Sequence, residues 1–174
     1  MRKLKNKELN RLKLEEFKST KKLPIVIVLD NVRSAHNVGS IFRTSDAFLI
    51  EKVMLCGICP TPPKNEIRKT ALGATESMDW EYFENTADCI KTLAEKDFSI
   101  ISIEQADNSV ELQDFEIDSS KKIALIFGNE VNGVSNECIA LSDGVIEIPQ
   151  HGTKHSFNVS VSAGIVLWDL AKKL

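Results

Sequence analysis

The chain has 174 residues, of which 43% are hydrophobic and 27% charged, and its formal net charge is −3 at pH 7. This length and composition predict one domain of ordinary size that buries a hydrophobic core of its own. We expect no membrane-spanning segment, because no apolar run approaches the roughly 20 residues that cross a bilayer.

The cysteine content and the N-terminus point to a cytoplasmic protein. Four cysteines in a chain of this size are too few for a disulfide framework, and we expect reduced, mostly buried thiols. The N-terminus is rich in lysine but lacks the apolar stretch of a signal peptide.

The charge is unevenly spread along the chain. Residues 1–22 carry nine Lys/Arg and three Asp/Glu, a net +6, whereas the rest carries a net −9. A basic arm on an acidic body is common in proteins that contact a polyanion, and a solvated tail without a partner is the open alternative. Leu9, Leu12, Leu14 and Phe17 follow a weak helical spacing, so we predict a short basic helix from Asn6 to Phe17.

The rest of the chain alternates between predicted strands and predicted helices. In chain order we predict a strand over 24–30, a helix over 37–49, a strand over 52–56, a rigid proline loop over 60–64, a helix over 66–74, a strand over 78–83, a helix over 86–96, strands over 98–103 and 122–127, a helix over 135–141, a strand over 144–148 and a helix over 159–174. This alternation is typical of an α/β domain with a mostly parallel sheet flanked by helices.

Polar clusters follow three of the predicted strands, at the sheet edge where open α/β folds bind ligands. They are HNVGSIFRTSDAF (36–48), IFGNEVNGVS (126–135) and IPQHGTKHSFNVSVSAGI (148–165). In the first, a glycine inside a helix costs roughly 1 kcal/mol and marks the close approach of a ligand or another backbone. We predict Asn37 at the helix N-cap and Gly39 one turn before Arg43, where the glycine leaves room for a ligand; the open alternative is a glycine that only packs against a neighbour, with Arg43 on the surface and paired with Asp46.

The second and third clusters have their own ordinary alternatives. The paired glycines of IFGNEVNGVS allow backbone N–H groups to approach a ligand, but a tight strand-to-helix turn would also use them. The cluster matches neither dinucleotide nor triphosphate loops. In the third cluster Asn158 is a candidate cap of the terminal helix.

Taken in order, the three clusters resemble the three motifs of the SpoU/TrmH-type RNA 2′-O-ribose methyltransferases of the SPOUT class. The resemblance covers nearly all of residues 23–174, which would form the methyltransferase domain behind the basic arm of residues 1–22. It implies S-adenosylmethionine as the methyl donor, tRNA or rRNA as the substrate and a C-terminal trefoil knot. It also implies a homodimer through the terminal helix, to which Val166, Leu167 and Trp168 would contribute.

The resemblance also assigns roles to individual residues. The catalytic positions would be Arg43, Asn37, Glu130, Ser156 and Asn158. The methyl donor would lie against Gly128, Asn129, Ile148, Phe157 and Asn158. Because a guanidinium is effectively always protonated, we expect Arg43 to hold an RNA phosphate and to stabilise alkoxide charge. The candidate RNA contacts of the arm are Lys3, Lys5, Lys7, Arg11 and Lys13.

Three alternatives rank below this interpretation. A non-catalytic RNA-binding module of the same fold is the serious one, and the catalytic-type residues argue against it. A zinc site at Cys56, Cys59, His151 and His155 has a separation of about 90 residues between its two pairs, far from a zinc-finger spacing, and no metal is expected. A hydrolase built on His155 and Ser156 would lack a nucleophile elbow.

Overall fold

Seven strands form one sheet in which every hydrogen-bonded pair of neighbours is parallel. A computed structural model describes residues 1–174, apart from the side chain of Asn6. The strands are Leu23–Asp30 (β1), Ile50–Cys56 (β2), Trp80–Phe83 (β3), Phe98–Ile103 (β4), Val110–Glu111 (β5), Lys122–Phe127 (β6) and Gly144–Glu147 (β7). Their order in the sheet is β3-β2-β1-β6-β4-β7-β5. The predicted α/β class with a parallel sheet is confirmed.

Helices cover both faces of the sheet. They are Leu14–Ser19 (α1), Ala35–Ala47 (α2), Asn65–Ala71 (α3), Ala74–Ser77 (α4), Thr86–Ala94 (α5), Asn136–Ala140 (α6) and Val159–Lys173 (α7), with single 3₁₀ turns at Asn6–Glu8 and Leu112–Asp114. Alternate residues of β1 enter two separate hydrophobic clusters, Ile25 and Ile27 on the side of α2 and α7, Val26 and Val28 on the side of α5. A strand buried on both faces needs such an unbroken apolar run.

The sheet order creates a switch point between β1 and β6. From β1 the chain continues outward to β2 and β3, whereas β6 and β4 lie on the other side of β1. Crossovers leave in opposite directions at such a point, so a crevice opens beyond the carboxyl ends of the strands. The three polar clusters follow β1, β6 and β7 and therefore meet at this edge.

The N-terminal arm differs from the prediction. Instead of one helix over 6–17, a 3₁₀ turn is followed by α1, because Asn10 has φ +46° and the Lys13 N–H is capped by the Glu16 carboxylate at 2.8 Å. Phe17 is 5% exposed and belongs to the core, with the Lys22 ammonium 3.6 Å from its ring centroid. The second half of the arm is therefore docked on the domain.

Two other predicted elements are corrected. The helix predicted over 66–74 divides into α3 and α4, because Leu72 and Gly73 take positive φ values of 50° and 94°. In α7, Val166 and Leu167 are fully buried within the domain, so only Trp168 of the three residues expected at a dimer interface remains exposed, at 58%. The trefoil knot stays a prediction.

No helix in the described part of the chain combines the length and the apolar character needed to cross a bilayer. All four cysteines are free thiols and buried, as expected from the sequence.

Candidate active site

A cavity of about 590 Å³ opens at the carboxyl ends of β4, β6 and β7. Two loops form its walls, residues 128–134 (the glycine loop) and residues 149–157 (the C-terminal loop). The five residues predicted to contact the methyl donor all line this cavity: Gly128, Asn129, Ile148, Phe157 and Asn158. The predicted catalytic residues Glu130 and Ser156 line it as well. The structure thus brings most of the predicted site into one cavity.

The two glycines of the glycine loop allow the two ends of this loop to lie close together. Asn129 and Gly133 exchange two backbone hydrogen bonds of 2.9 Å, and a Cβ on Gly128 would come within 2.0 Å of the Gly133 carbonyl carbon. The side chain of Asn129 donates to the Asn31 carbonyl at 2.7 Å and accepts the Val131 N–H at 2.8 Å. This side chain is therefore committed to the loop rather than free for a ligand.

A chain of hydrogen bonds connects one residue from each polar cluster. The Asn37 side-chain amide donates to the Glu130 carboxylate at 2.9 Å, and the Asn158 amide donates to the Asn37 side-chain oxygen at 3.1 Å. Asn158 caps α7, because its side-chain oxygen accepts the Ser160 N–H at 2.9 Å. Three residues far apart in sequence thus act as one unit.

Glu130 is held as a carboxylate. It accepts the backbone N–H groups of Arg33 and Ser34 at 2.9 and 3.0 Å, in addition to the bond from Asn37. Burial pushes the pKa of Glu130 up, but these hydrogen bonds outweigh burial and bring the pKa below its usual value. Glu130 therefore carries a negative charge at neutral pH.

The start of α2 corrects the expected role of Asn37. The helix begins two residues earlier than predicted, and its N-cap is Ser34, whose hydroxyl accepts the Asn37 N–H at 3.3 Å. Because Asn37 lies within the first turn, its side chain is released from capping and reaches Glu130 and Asn158.

Gly39 makes room for another helix, which corrects the prediction that it leaves space for a ligand. A Cβ at Gly39 would come within 2.1 Å of the Thr70 hydroxyl and 2.4 Å of the Ile67 carbonyl oxygen. The Thr70 hydroxyl also donates to the His36 carbonyl at 3.0 Å. The glycine therefore lets α3 approach the backbone of α2.

Arg43 takes no part in the hydrogen bonds that join Asn37, Glu130 and Asn158. It is exposed and lines a second hollow, also of about 590 Å³, formed by α2, α3 and the start of α7. Lys69 and Ser160 line the same hollow. Since the Ser160 hydroxyl donates to the Asn158 side-chain oxygen at 2.6 Å, Ser160 connects this hollow to the first cavity.

Several residues of this region stand outside the three polar clusters of the sequence. Asp30 ends β1 and is 2% exposed, and its carboxylate accepts the Thr86 hydroxyl at 2.7 Å and the Ser135 N–H at 2.9 Å. Glu104 directly follows β4 and lines the first cavity. Both residues lie at the carboxyl end of a buried strand, and a polar residue in that position was the available signal.

The first cavity suits a nucleoside-like, positively charged ligand. Ile103, Phe127, Ile148 and Phe157 supply apolar surface, while Glu104 and Glu130 place two carboxylates at its wall. S-adenosylmethionine combines an adenosine with a sulfonium, an ammonium and a carboxylate group and carries a net positive charge, so the residues present fit this donor.

Comparison with known proteins identifies the family. The sequence model of the SpoU rRNA Methylase family matches residues 24–168. The chain is 28% identical over 166 residues to a tRNA (guanosine(18)-2′-O)-methyltransferase of Thermus thermophilus, covering 95% of this chain and 84% of that protein. The chain belongs to the SpoU methylase family, and the family predicted from the three clusters is confirmed.

Solved structures agree with this assignment. The A. aeolicus TrmH/SpoU tRNA modifying enzyme superposes with a TM-score of 0.81 at 27% identity, covering 92% of this chain and 80% of that one. An AdoMet-bound rRNA methyltransferase from Sinorhizobium meliloti gives a TM-score of 0.82 at 26% identity, covering 91% and 60%.

Proposed function

We propose that this protein methylates the ribose 2′-hydroxyl of a nucleotide in tRNA or rRNA. It is a SpoU-family RNA methyltransferase that uses S-adenosylmethionine. The observation that carries the assignment of its site is the set of hydrogen bonds that joins Glu130, Asn37 and Asn158. Glu130 and Asn158 line the first cavity, and Asn158 is bonded to Ser160, which lines the hollow that contains Arg43.

We place the methyl donor in the first cavity, against Gly128, Ile148 and Phe157. When bound there, it supplies a methyl group activated by the positive sulfur. The apolar side chains would hold the adenosine, and the carboxylates of Glu104 and Glu130 would favour the sulfonium and ammonium groups of the donor. Alignment of the donor and the acceptor hydroxyl can by itself contribute roughly 7–11 kcal/mol to lowering the barrier.

We place the acceptor nucleotide between the two hollows. Arg43 and Lys69 would hold the phosphate next to the target ribose, and Arg43 would stabilise the charge that develops on the attacking oxygen. Ser156 and Asn158, which line the donor cavity, would orient the 2′-hydroxyl. Glu130 would act through Asn37 by fixing the position of Asn158.

The N-terminal arm would add contacts to the RNA backbone. The five predicted contact residues are all exposed, which supports this role: Lys3, Lys5, Lys7, Arg11 and Lys13. Within the described part of the chain, none of the five lies in an ion pair, so their charges are available to phosphates.

A homodimer through α7 is part of the proposal. Trp168 and Val161 are exposed on this helix, and Phe157 is exposed just before it. A second copy of the chain would cover these side chains. Light scattering at micromolar concentration should then give twice the chain mass, and a monomer would contradict this part. The buried free thiols fit the reducing cytoplasm as its location.

Two measurements test the proposed activity. Isothermal titration calorimetry should detect S-adenosylmethionine binding, and mapping of ribose methylation should reveal a nucleotide that loses its methyl group in cells without this protein. RNA binding without donor binding would instead favour the non-catalytic module.

A further inference from the structure

The C-terminal loop is weakly attached to the rest of the domain. Residues 151–157 are all exposed, although the loop forms one wall of the donor cavity. Among the described residues, one hydrogen bond reaches residues 149–157, from the Gln105 side-chain amide to the His155 carbonyl oxygen at 3.0 Å. A segment with so few contacts opens at a low free-energy cost.

Glu104, the residue before Gln105, contacts the glycine loop, which forms the opposite wall of the cavity. The Glu104 carboxylate accepts the Val134 N–H at 2.9 Å, and a Cβ on Gly133 would come within 2.1 Å of the same carboxylate oxygen. Its other oxygen accepts the N–H of Gln105 at 2.8 Å. Glu104 thus contacts the glycine loop and orients Gln105 at the same time.

We propose that Glu104 and Gln105 latch the two loops together, and that Gln105 is a positioning residue for binding of the methyl donor. This inference rests on the proposed function of the cavity. The dipeptide at the end of β4 sets the distance between the walls, because one residue holds each loop. If the donor binds only the closed form, its apparent affinity falls in proportion to the closed fraction.

The latch predicts a distinct kinetic effect of Gln105→Met, which keeps the length of this exposed side chain but removes its donor. The Kd and KM for S-adenosylmethionine should rise about fivefold, the change that one net hydrogen bond produces. The kcat at saturating donor should stay within about twofold of the wild type, because the residues around the acceptor hydroxyl are unchanged.

Limited trypsin digestion gives a readout that needs neither donor nor RNA. Lys154 lies in the C-terminal loop, and cleavage after it, followed by mass spectrometry, should be about fivefold faster in Gln105→Met. Cleavage after Arg11 in the arm provides the internal reference. The matched control is Gln113→Met, the same change at an exposed residue outside both hollows, and it should behave as the wild type.

The outcomes separate this inference from the proposed function. A wild-type protein that fails to bind S-adenosylmethionine would contradict the proposed function, while the cleavage rate after Lys154 would still test the latch. Equal cleavage rates and equal donor affinities in Gln105→Met and the wild type would overturn the latch. So would a fall in kcat without a change in KM.

Discussion

The side chain of Asn37 joins Glu130 and Asn158, which are 93 and 121 residues away along the chain. It donates to the carboxylate at 2.9 Å and accepts from the amide at 3.1 Å. A carboxamide can do both at once because it carries a donor and an acceptor. Asn37 is therefore the junction through which hydrogen bonds connect Glu130 to Asn158.

We expect Asn37→Asp to lower turnover by about tenfold or more. The new carboxylate would lose the donor to Glu130 and place a like charge beside it, which would push Asn158 out of position. The measurement is kcat at saturating S-adenosylmethionine and RNA. Asn136→Asp adds the same charge at the start of α6 and is the control. Equal activities of the two variants would show that the hydrogen bonds of Asn37 do not contribute to the reaction.

Arg43→Ala should leave S-adenosylmethionine affinity nearly intact and lower turnover by about 100-fold or more, through loss of positioning and charge stabilisation. Calorimetry and steady-state kinetics separate the two effects. A variant with near-normal turnover would exclude Arg43 from the reaction.

Lys69→Ala should weaken RNA binding rather than donor binding. If this ammonium contacts one phosphate, its loss should also reduce the slope of log affinity against log salt by roughly 0.7–0.9. The control is Lys91→Ala on α5, on the opposite face of the sheet. An unchanged slope in Lys69→Ala would show that the second hollow does not hold RNA.

Gly39→Ala should destabilise the fold by about 1–3 kcal/mol, because its Cβ would collide with the backbone of Ile67 and force α3 away. Gly164→Ala in α7 is the matched control, since a Cβ there meets nothing within 4 Å. It should be neutral or stabilise by up to about 1 kcal/mol, the difference in helix propensity. Chemical denaturation of both variants measures the effect, and equal stabilities would contradict the close contact of α2 and α3.

Asp30→Asn should cost about 2 kcal/mol of unfolding free energy at pH 7, because the amide cannot accept all the hydrogen bonds of the carboxylate. Burial raises the pKa of Asp30, but hydrogen bonds led by the Ser135 N–H outweigh burial and leave it below its ordinary value of 3.8. The charged form therefore stabilises the fold above about pH 3.8, and this contribution is lost as the pH falls through the lowered pKa.

Denaturation curves over this pH range provide the test for Asp30. The difference in unfolding free energy between the wild type and Asp30→Asn should be constant near neutral pH and shrink below about pH 4. Asp107→Asn, an exposed aspartate, should show no comparable difference. A difference in unfolding free energy that grows as the pH falls would contradict the stabilising role of the Asp30 carboxylate.

Replacement of the arm's five exposed cations by glutamine should weaken RNA binding and flatten its salt dependence, by roughly 0.7–0.9 in the log–log slope for each lost phosphate contact. Substitution is a sharper test than deletion of residues 1–22, because deletion would also remove Phe17 from the core. Affinity for S-adenosylmethionine should not change. An unchanged salt slope would show that the arm does not contact RNA.

Local sequence patterns alone determined the alternation of strands and helices. The run from Ile25 to Leu29 predicted a strand buried on both faces, and the structure divides its residues between two hydrophobic clusters. The order of the three polar clusters likewise identified the family. The strand and each single cluster are readable because their residues are close together along the chain.

Only the tertiary structure decided what individual residues do. The sequence predicts room for a ligand at Gly39, but Thr70 and Ile67 fill that space. It predicts Val166 at a dimer interface, but the core buries this side chain. The partners of Asn37 and Gln105 lie about 50 to 121 residues away. A side chain's role depends on neighbours that the fold brings near, and local periodicity carries no information about contacts at such separations.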